Sequence, residues 1–246
     1  MKFLSWQIKF SLSLIALSIF FFFIHYLISK DPISILISII DDFAFVCINV
    51  LLVTLVIQKL LRDREKHAKM EKLNMVIGAF FSEVGTKLLS YFSSSDFNLD
   101  LIRYDLVVTK DWSDKEFSSV SKRIKSHKYA VDISKIPLKD LRDFLLEKRD
   151  FLLRLLENPT LLEHEYFTEL LRAVFHLTEE LTIRKEFRDL PKTDYEHLTG
   201  DIERAYSLLA HEWLYYMKYL KNNYPYLFSL AMRTNPFDKN ASPIVR

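Results

Sequence analysis

Seven formal charges are all that interrupt residues 1–61: Lys2, Lys9, Lys30, Asp31, Asp41, Asp42 and Lys59. This segment limits the fold more than any other, because a run of about 20 apolar residues either crosses a bilayer or needs a large protein core around it. The rest of the chain has a different character. Removing those four Lys and three Asp from the chain's 34 basic and 32 acidic residues leaves 30 and 29, a net charge of +1 for residues 62–246. So balanced a remainder has no nucleic-acid footprint, and no nucleic acid is expected as a partner. Cys47, the chain's one cysteine, lies in the apolar segment, which rules out an intrachain disulfide and fits a cytosolic domain.

The first run, FSLSLIALSIFFFFIHYLIS, sits between Lys9 and Lys30. As a helix, residues 10–28 span about 28 Å, enough for a bilayer core. Lys2 and Lys9 also suit the start of a signal peptide, but Ile24, His25, Tyr26 and Leu27 are too bulky for a cleavage site, so an uncleaved anchor is expected. His25, beside Tyr26 near the end of the run, suits the headgroup level. The second run carries Asp41 and Asp42. Each carboxylate would cost roughly 2.5–3.5 kcal/mol at mid-bilayer, so the economical span is 43–61, with both aspartates capping its start and Ile33 to Ile40 forming an apolar interfacial turn. Lys59 then reaches the far headgroups. Lys2 and Lys9 precede the first span, and Arg62, Arg64, Lys66 and Lys69 follow the second. The positive-inside rule thus predicts both termini in the cytoplasm, residues 29–42 outside, and a place in the cytoplasmic (inner) membrane.

The stretch MVIGAFFSEVGTKLLSYF, residues 75–92, resembles a third span until it is plotted at 100° per residue. Leu73, Ile77, Phe80, Phe81, Val84, Leu88, Tyr91 and Phe92 make one broad arc. Gly78, Ala79, Ser82, Gly85 and Thr86 make an arc of small residues. Lys72, Glu83, Lys87 and Ser90 form a polar strip, with Glu83 and Lys87 spaced as an i,i+4 ion pair. A lipid-facing helix has no use for that strip, so the segment is predicted to be a cytosolic helix packed on two sides. Each glycine costs about 1 kcal/mol against Ala in a helix interior, which points to close approach of another backbone at Gly78, Ser82, Gly85 and Thr86, from this chain or from a second copy in a homo-oligomer.

Downstream, helical periodicity continues. Ser113 and Glu116 have capping-box spacing, predicting a helix from Asp114. Pro137 opens a helix lined by Leu138, Leu141, Leu145, Leu152 and Leu155, interrupted at Lys148 and ended by Asn158-Pro159. Phe167, Leu170, Val174, Leu177 and Leu181 line the next, and Leu198, Ile202, Ala205, Leu209, Tyr216 and Leu220 another. Pro225 predicts a break inside the aromatic stretch WLYYMKYLKNNYPYLFSLAM, which suits core packing better than a flat membrane-surface rod. Weak strand signals occur in LDLIRYDLVVT and KYAVDI. The expected fold is all-α: an N-terminal transmembrane hairpin over 1–61, a cytosolic antiparallel helical bundle over 62–234, and a loose tail over 235–246.

No residue pattern names a reaction. His164 is flanked by Glu163 and Glu165, Glu179 and Glu180 follow His176, Asp194 precedes His197, and His211 adjoins Glu212. No paired Glu-x-x-His, HExxH, G-x-S-x-G or phosphate-binding glycine loop is present, so surface or capping histidines are expected, with no metal, cofactor or catalytic residue. The segments LNMVIGAFFSEVGTKLL and YPYLFSLAMRTNPF resemble uncharacterised prokaryotic membrane proteins that have an N-terminal hairpin and a cytosolic helical region. That resemblance implies a shared architecture and no reaction. The leading expectation is a non-enzymatic, membrane-anchored protein that meets the lipid bilayer and binds a partner protein or transmits a signal. A channel or transport accessory using Ser11, Ser13, Ser18, Asn49 and Thr54 is the alternative, and a membrane-tethered hydrolase a third.

Overall fold

The structure is a computed structural model that describes residues 2–245 apart from 160, 162 and 163, with the backbone alone at 2–7, 29, 32, 34 and 35. Glu163 and the Lys2 side chain therefore lie outside the described residues. The chain divides at His67/Ala68 into two compact units.

The first unit begins with α1 (Lys2–Ser29), and α2 (Pro32–Phe80) starts within it. The turn between them is two residues long. Lys30 adopts a left-handed conformation (φ 51°) and its amide donates to the Tyr26 carbonyl, closing α1. Asp31 accepts from the Ile33 amide at 3.0 Å and so caps α2, with Pro32 at the first helical position. This corrects the expected cap at Asp41 and Asp42, and the expected turn at 33–40. Both aspartates are exposed within a continuous helix, because no residue between Pro32 and Asp41 breaks it once Asp31 has satisfied its first amides. Two helices are long and apolar enough to cross a membrane, over Ile8–Ile28 and from Leu36 onward.

The second unit is all-helical among the described residues. After α2 come a π-helical turn (Phe81–Gly85), α3 (Thr86–Ser93), a 3-10 turn (Leu99–Leu101), α4 (Arg103–Leu106), α5 (Asp114–Ser126), a second 3-10 turn (Ile133–Lys135), α6 (Leu138–Glu147), α7 (Arg149–Leu156), α8 (Glu165–Ile183), α9 (Lys192–Asn223) and α10 (Pro225–Arg233). α9 is the spine: α8, α5, α10 and α3 all pack on it, while α6 and α7 pack on α8. The predicted leucine faces are the observed core, with Leu141, Leu145, Leu152, Leu170, Leu177, Leu181, Leu198 and Leu209 buried. Ser113 and Glu116 form the full capping box of α5, and Pro225 separates α9 from α10.

Three expectations change. Neither strand signal yields a strand. LDLIRYDL forms a 3-10 turn and α4, and KYAVDI contributes one isolated bridge, Asp96 with Val131. Glu83 pairs with Lys148 at 2.9 Å rather than with Lys87, whose ammonium lies 4.1 Å from the Phe144 ring centre. The tail is held at its start: Asn235 donates to the Leu106 carbonyl, and Phe237 is fully buried against Trp213.

Beside the isolated bridge, Asp96, His127, Tyr129 and Tyr206 form a buried polar group. Asp96 accepts from the Asn98 amide at 2.8 Å, and the His127 side chain, 6% exposed, lies 3.9 Å from Asp96. Burial pushes the His127 imidazole below its ordinary range, outweighing the opposing pull of Asp96. The unfolded chain, whose imidazole titrates near ~6.5, therefore takes up this proton first as pH falls. The stabilising contribution is complete above about pH 6.5 and is lost as pH drops through the folded-state value. Thermal unfolding followed by circular dichroism from about pH 8 to about pH 5 should show the midpoint of the wild type falling more steeply than that of His127→Phe. Parallel slopes would remove His127 from the account.

Candidate functional site: an aromatic-walled groove and a histidine–carboxylate cluster

The small-residue face predicted on residues 78–86 forms one side of a groove of about 720 Å³. Gly78, Ser82 and Thr86 line it from the end of α2, the π-turn and α3; Tyr216 and Tyr219 line it from α9, Leu227 and Leu230 from α10, and Tyr224 from the junction between those helices. Asn74, nearly fully buried, also borders the groove, and its side-chain oxygen has no hydrogen-bond partner.

The reason for the small residues differs from the expected backbone contact. At Gly78 an added Cβ would lie 3.1 Å from the Tyr216 hydroxyl, so the neighbour is a side chain. At Gly85 it would lie 2.6 Å from Phe81 Cδ1 and 2.9 Å from Phe80 Cε1. These rings fold back over Gly85 because the chain makes a π-turn there. The Thr86 amide and hydroxyl both donate to the Phe81 carbonyl, the latter at 2.8 Å. Phe81 is pinned by stacking on Tyr216 at 5.2 Å, and Phe80 by an edge contact with Phe167 at 5.3 Å. The membrane-flanking residues predicted from sequence, Lys9, Asp41, Asp42, Lys59, Arg62 and Arg64, are exposed on α1 and α2, where Arg62 donates to the Gln58 carbonyl.

A second site lies between α8 and α9, which run antiparallel. His176 and Glu180 are one turn apart on α8, and His197 and Asp201 one turn apart on α9, so the helix pairing brings all four together. His176 Nε2 is 3.5 Å from Asp201 Oδ2 and 3.9 Å from Glu180 Oε1. His197 Nε2 is 3.4 Å from Asp201 Oδ2 and 3.5 Å from Glu180 Oε2. Arg184 holds both Glu180, at 2.6 Å, and Asp194, at 2.6 Å; its hydrogen bond keeps the Glu180 carboxyl below the usual range and ionised. Arg204 donates to Asp201 Oδ1 at 3.2 Å. A search for Glu-x-x-His spacing does not detect this cluster, because its pairs are His-x-x-x-Glu and His-x-x-x-Asp on different helices. His164 stands apart as the cap of α8, its Nδ1 accepting from the Phe167 amide.

The glycines make a paired prediction. Gly85→Ala should destabilise the protein by about 1–3 kcal/mol through overpacking against Phe80 and Phe81, although Ala is the better helix former. Gly200→Ala, where nothing lies within 4 Å of the added methyl, should stabilise by about 0.4–1 kcal/mol. Thermal denaturation of both variants checks the signs. A tolerated Gly85→Ala would mean that the two rings are free to move.

Comparison with known proteins is consistent with this two-part organisation. A family model described as "MJ1433, N-terminal helical domain" matches residues 2–61, and one described as "Uncharacterized protein MJ1433, C-terminal helical domain" matches residues 69–233. Uncharacterized protein MJ1433 of Methanocaldococcus jannaschii is 47% identical over 231 residues, covering 94% of this chain and 93% of the relative. No solved structure matches the chain. Matched by both family models and by a full-length relative, this chain belongs to the MJ1433 family of helical proteins.

Proposed function

We propose that this is a non-enzymatic, membrane-anchored helical protein, held in the bilayer by α1 and part of α2, with the unit from residue 68 acting as a binding or signal-transmitting module at the cytoplasmic face. One observation carries the reading. The large apolar side chains of residues 8–28, apart from the half-buried Phe22 and Ile24, and of residues 43–61 are exposed, among them Phe20, Phe23, Leu51 and Leu60, while the second unit buries a complete core of its own. Only an apolar solvent covers such helices without cost, and lipid is that solvent.

Asp41 and Asp42 lie about 14 Å along α2 at ~1.5 Å per residue. Placing them in hydrocarbon would cost roughly 2.5–3.5 kcal/mol each, so the first turns of α2 stand outside and the crossing begins at Phe43. The binding reading is supported by the groove that Gly78, Ser82, Tyr216 and Tyr219 line, while several of the second unit's buried polar groups serve the fold. The hydroxyls of Thr168 and Thr178 donate to carbonyls of Leu161 and Val174, and Asn235 donates to Leu106, which are structural roles.

In a Cys47→Ala background, Ile33→Cys should react with an impermeant thiol reagent on intact cells, and Lys122→Cys only after permeabilisation. The chain should also stay with membranes through an alkaline wash. Release by that wash, or labelling of Ile33→Cys only from the cytoplasmic side, would overturn the anchor or its orientation respectively.

A further inference from the structure

The cluster between α8 and α9 has the spacing of ligands around an ion. The four N···O separations, 3.4, 3.5, 3.5 and 3.9 Å, are too long for good hydrogen bonds. Each imidazole Nε2 lies near Asp201 Oδ2 and near one Glu180 oxygen, Oε1 for His176 and Oε2 for His197. One ligand atom from each of His176, Glu180 and His197 lies within 4.8 Å of the others.

The buried carboxylate gives an independent reason. The Asp201 side chain is 4% exposed, and its Oδ2, turned toward both imidazoles, has no hydrogen-bond partner. A buried carboxylate oxygen left in that state is costly, and a cation in front of it removes the cost. Its other oxygen, Oδ1, is occupied by Arg204, just as Glu180 Oε2 is occupied by Arg184. The two arginines thus orient the carboxylates, as outer-shell partners do in metal sites, and leave Asp201 Oδ2 beside both histidines and Glu180 Oε1 beside His176. His176 and His197 are about half exposed, which gives an ion a way in from solvent.

We propose that His176, Glu180, His197 and Asp201 form a binding site for a divalent transition metal of the zinc class. Two imidazole nitrogens with two carboxylate oxygens suit Zn²⁺ or Co²⁺ and disfavour Ca²⁺ and Mg²⁺, which take all-oxygen shells. All four residues belong to the unit beginning at Ala68, so the site does not depend on the membrane anchor. An ion here ties the start of α9 to the second half of α8 and supplies the module with an inorganic ligand.

The test uses the full chain in detergent solution, stripped of metal and titrated with zinc against a chromophoric chelator, and with cobalt(II) for its visible spectrum. One tightly bound zinc per chain is expected, with cobalt bands of tetrahedral intensity. His176→Ala and His197→Ala should each weaken zinc binding about 10-fold or more, and Asp201→Asn by about 10–100-fold, while His211→Ala leaves it unchanged. Circular dichroism establishes that the variants are folded. If Asp201→Asn unfolds, the two histidine variants, altered at the surface, still decide. Absence of stoichiometric zinc, or full retention of zinc by the His176→Ala/His197→Ala double variant, would overturn the site and leave a network of imidazoles and carboxylates paired without metal.

Discussion

A 32-residue helix needs partners on more than one side, and α9 finds four. Leu198, Ile202, Ala205 and Leu209 are fully buried, as are Tyr206 and Met217 on other parts of its circumference. A helix with apolar residues on several faces is unstable alone in water, so α9 is defined by what packs around it. The antiparallel pairing with α8 is the tightest of these constraints. His164 meets Tyr215, Tyr166 meets His211, Glu180 meets His197, and Arg184 meets Asp194. A slip of one residue along either helix would separate all of these pairs and turn Leu177 or Leu198 away from the core.

The π-turn at Phe81–Gly85 solves a different packing problem. Ahead of it, α2 presents Leu73, Ile77 and Phe80 to the core; after it, α3 presents Leu88, Leu89 and Phe92. A single wide turn changes the phase between these faces without breaking the helix. The extra residue leaves carbonyl groups to satisfy, and Thr86 supplies two donors to Phe81. Gly85 is required where the two phenylalanine rings close over the turn. Its apolar neighbours thus select the glycine and the geometry together.

Much of this was legible in the sequence because it was local. Leucines at three-four spacing, Ser113 three residues before Glu116, and Pro225 after Asn223 each specify an element through contacts within about one turn. The small face at 78–86 was legible as a pattern, but its cause was not, since a wheel drawn at 100° per residue cannot represent a π-turn. Asp31 is hard to read as a cap from sequence, because Asp41 and Asp42 mark the apolar boundary more strongly than Asp31 marks the helix start. The pairing of Glu83 with Lys148 crosses 65 positions in sequence, and the four-residue cluster at α8 and α9 joins two helices, so periodicity within one helix reveals neither. Hydrophobic pattern reports which side of a helix faces inward. It does not report which polar residues of two helices meet at their seam.

The packed beginning of the tail carries the fold past its last helix. The family match stops at residue 233, and α10 ends at the same place, yet Ser93 and Arg103 donate to the Pro236 and Phe237 carbonyls, and Phe237 covers Trp213. A chain shortened to Thr234 would expose that indole and leave the Leu106 carbonyl without its Asn235 donor. One ending after Asp238 keeps both. A side chain outside the helices thus closes the core, and the chain beyond it stays tied to the end of α10, where the Ser242 amide donates to the Arg233 carbonyl and the Arg233 guanidinium donates to Pro243.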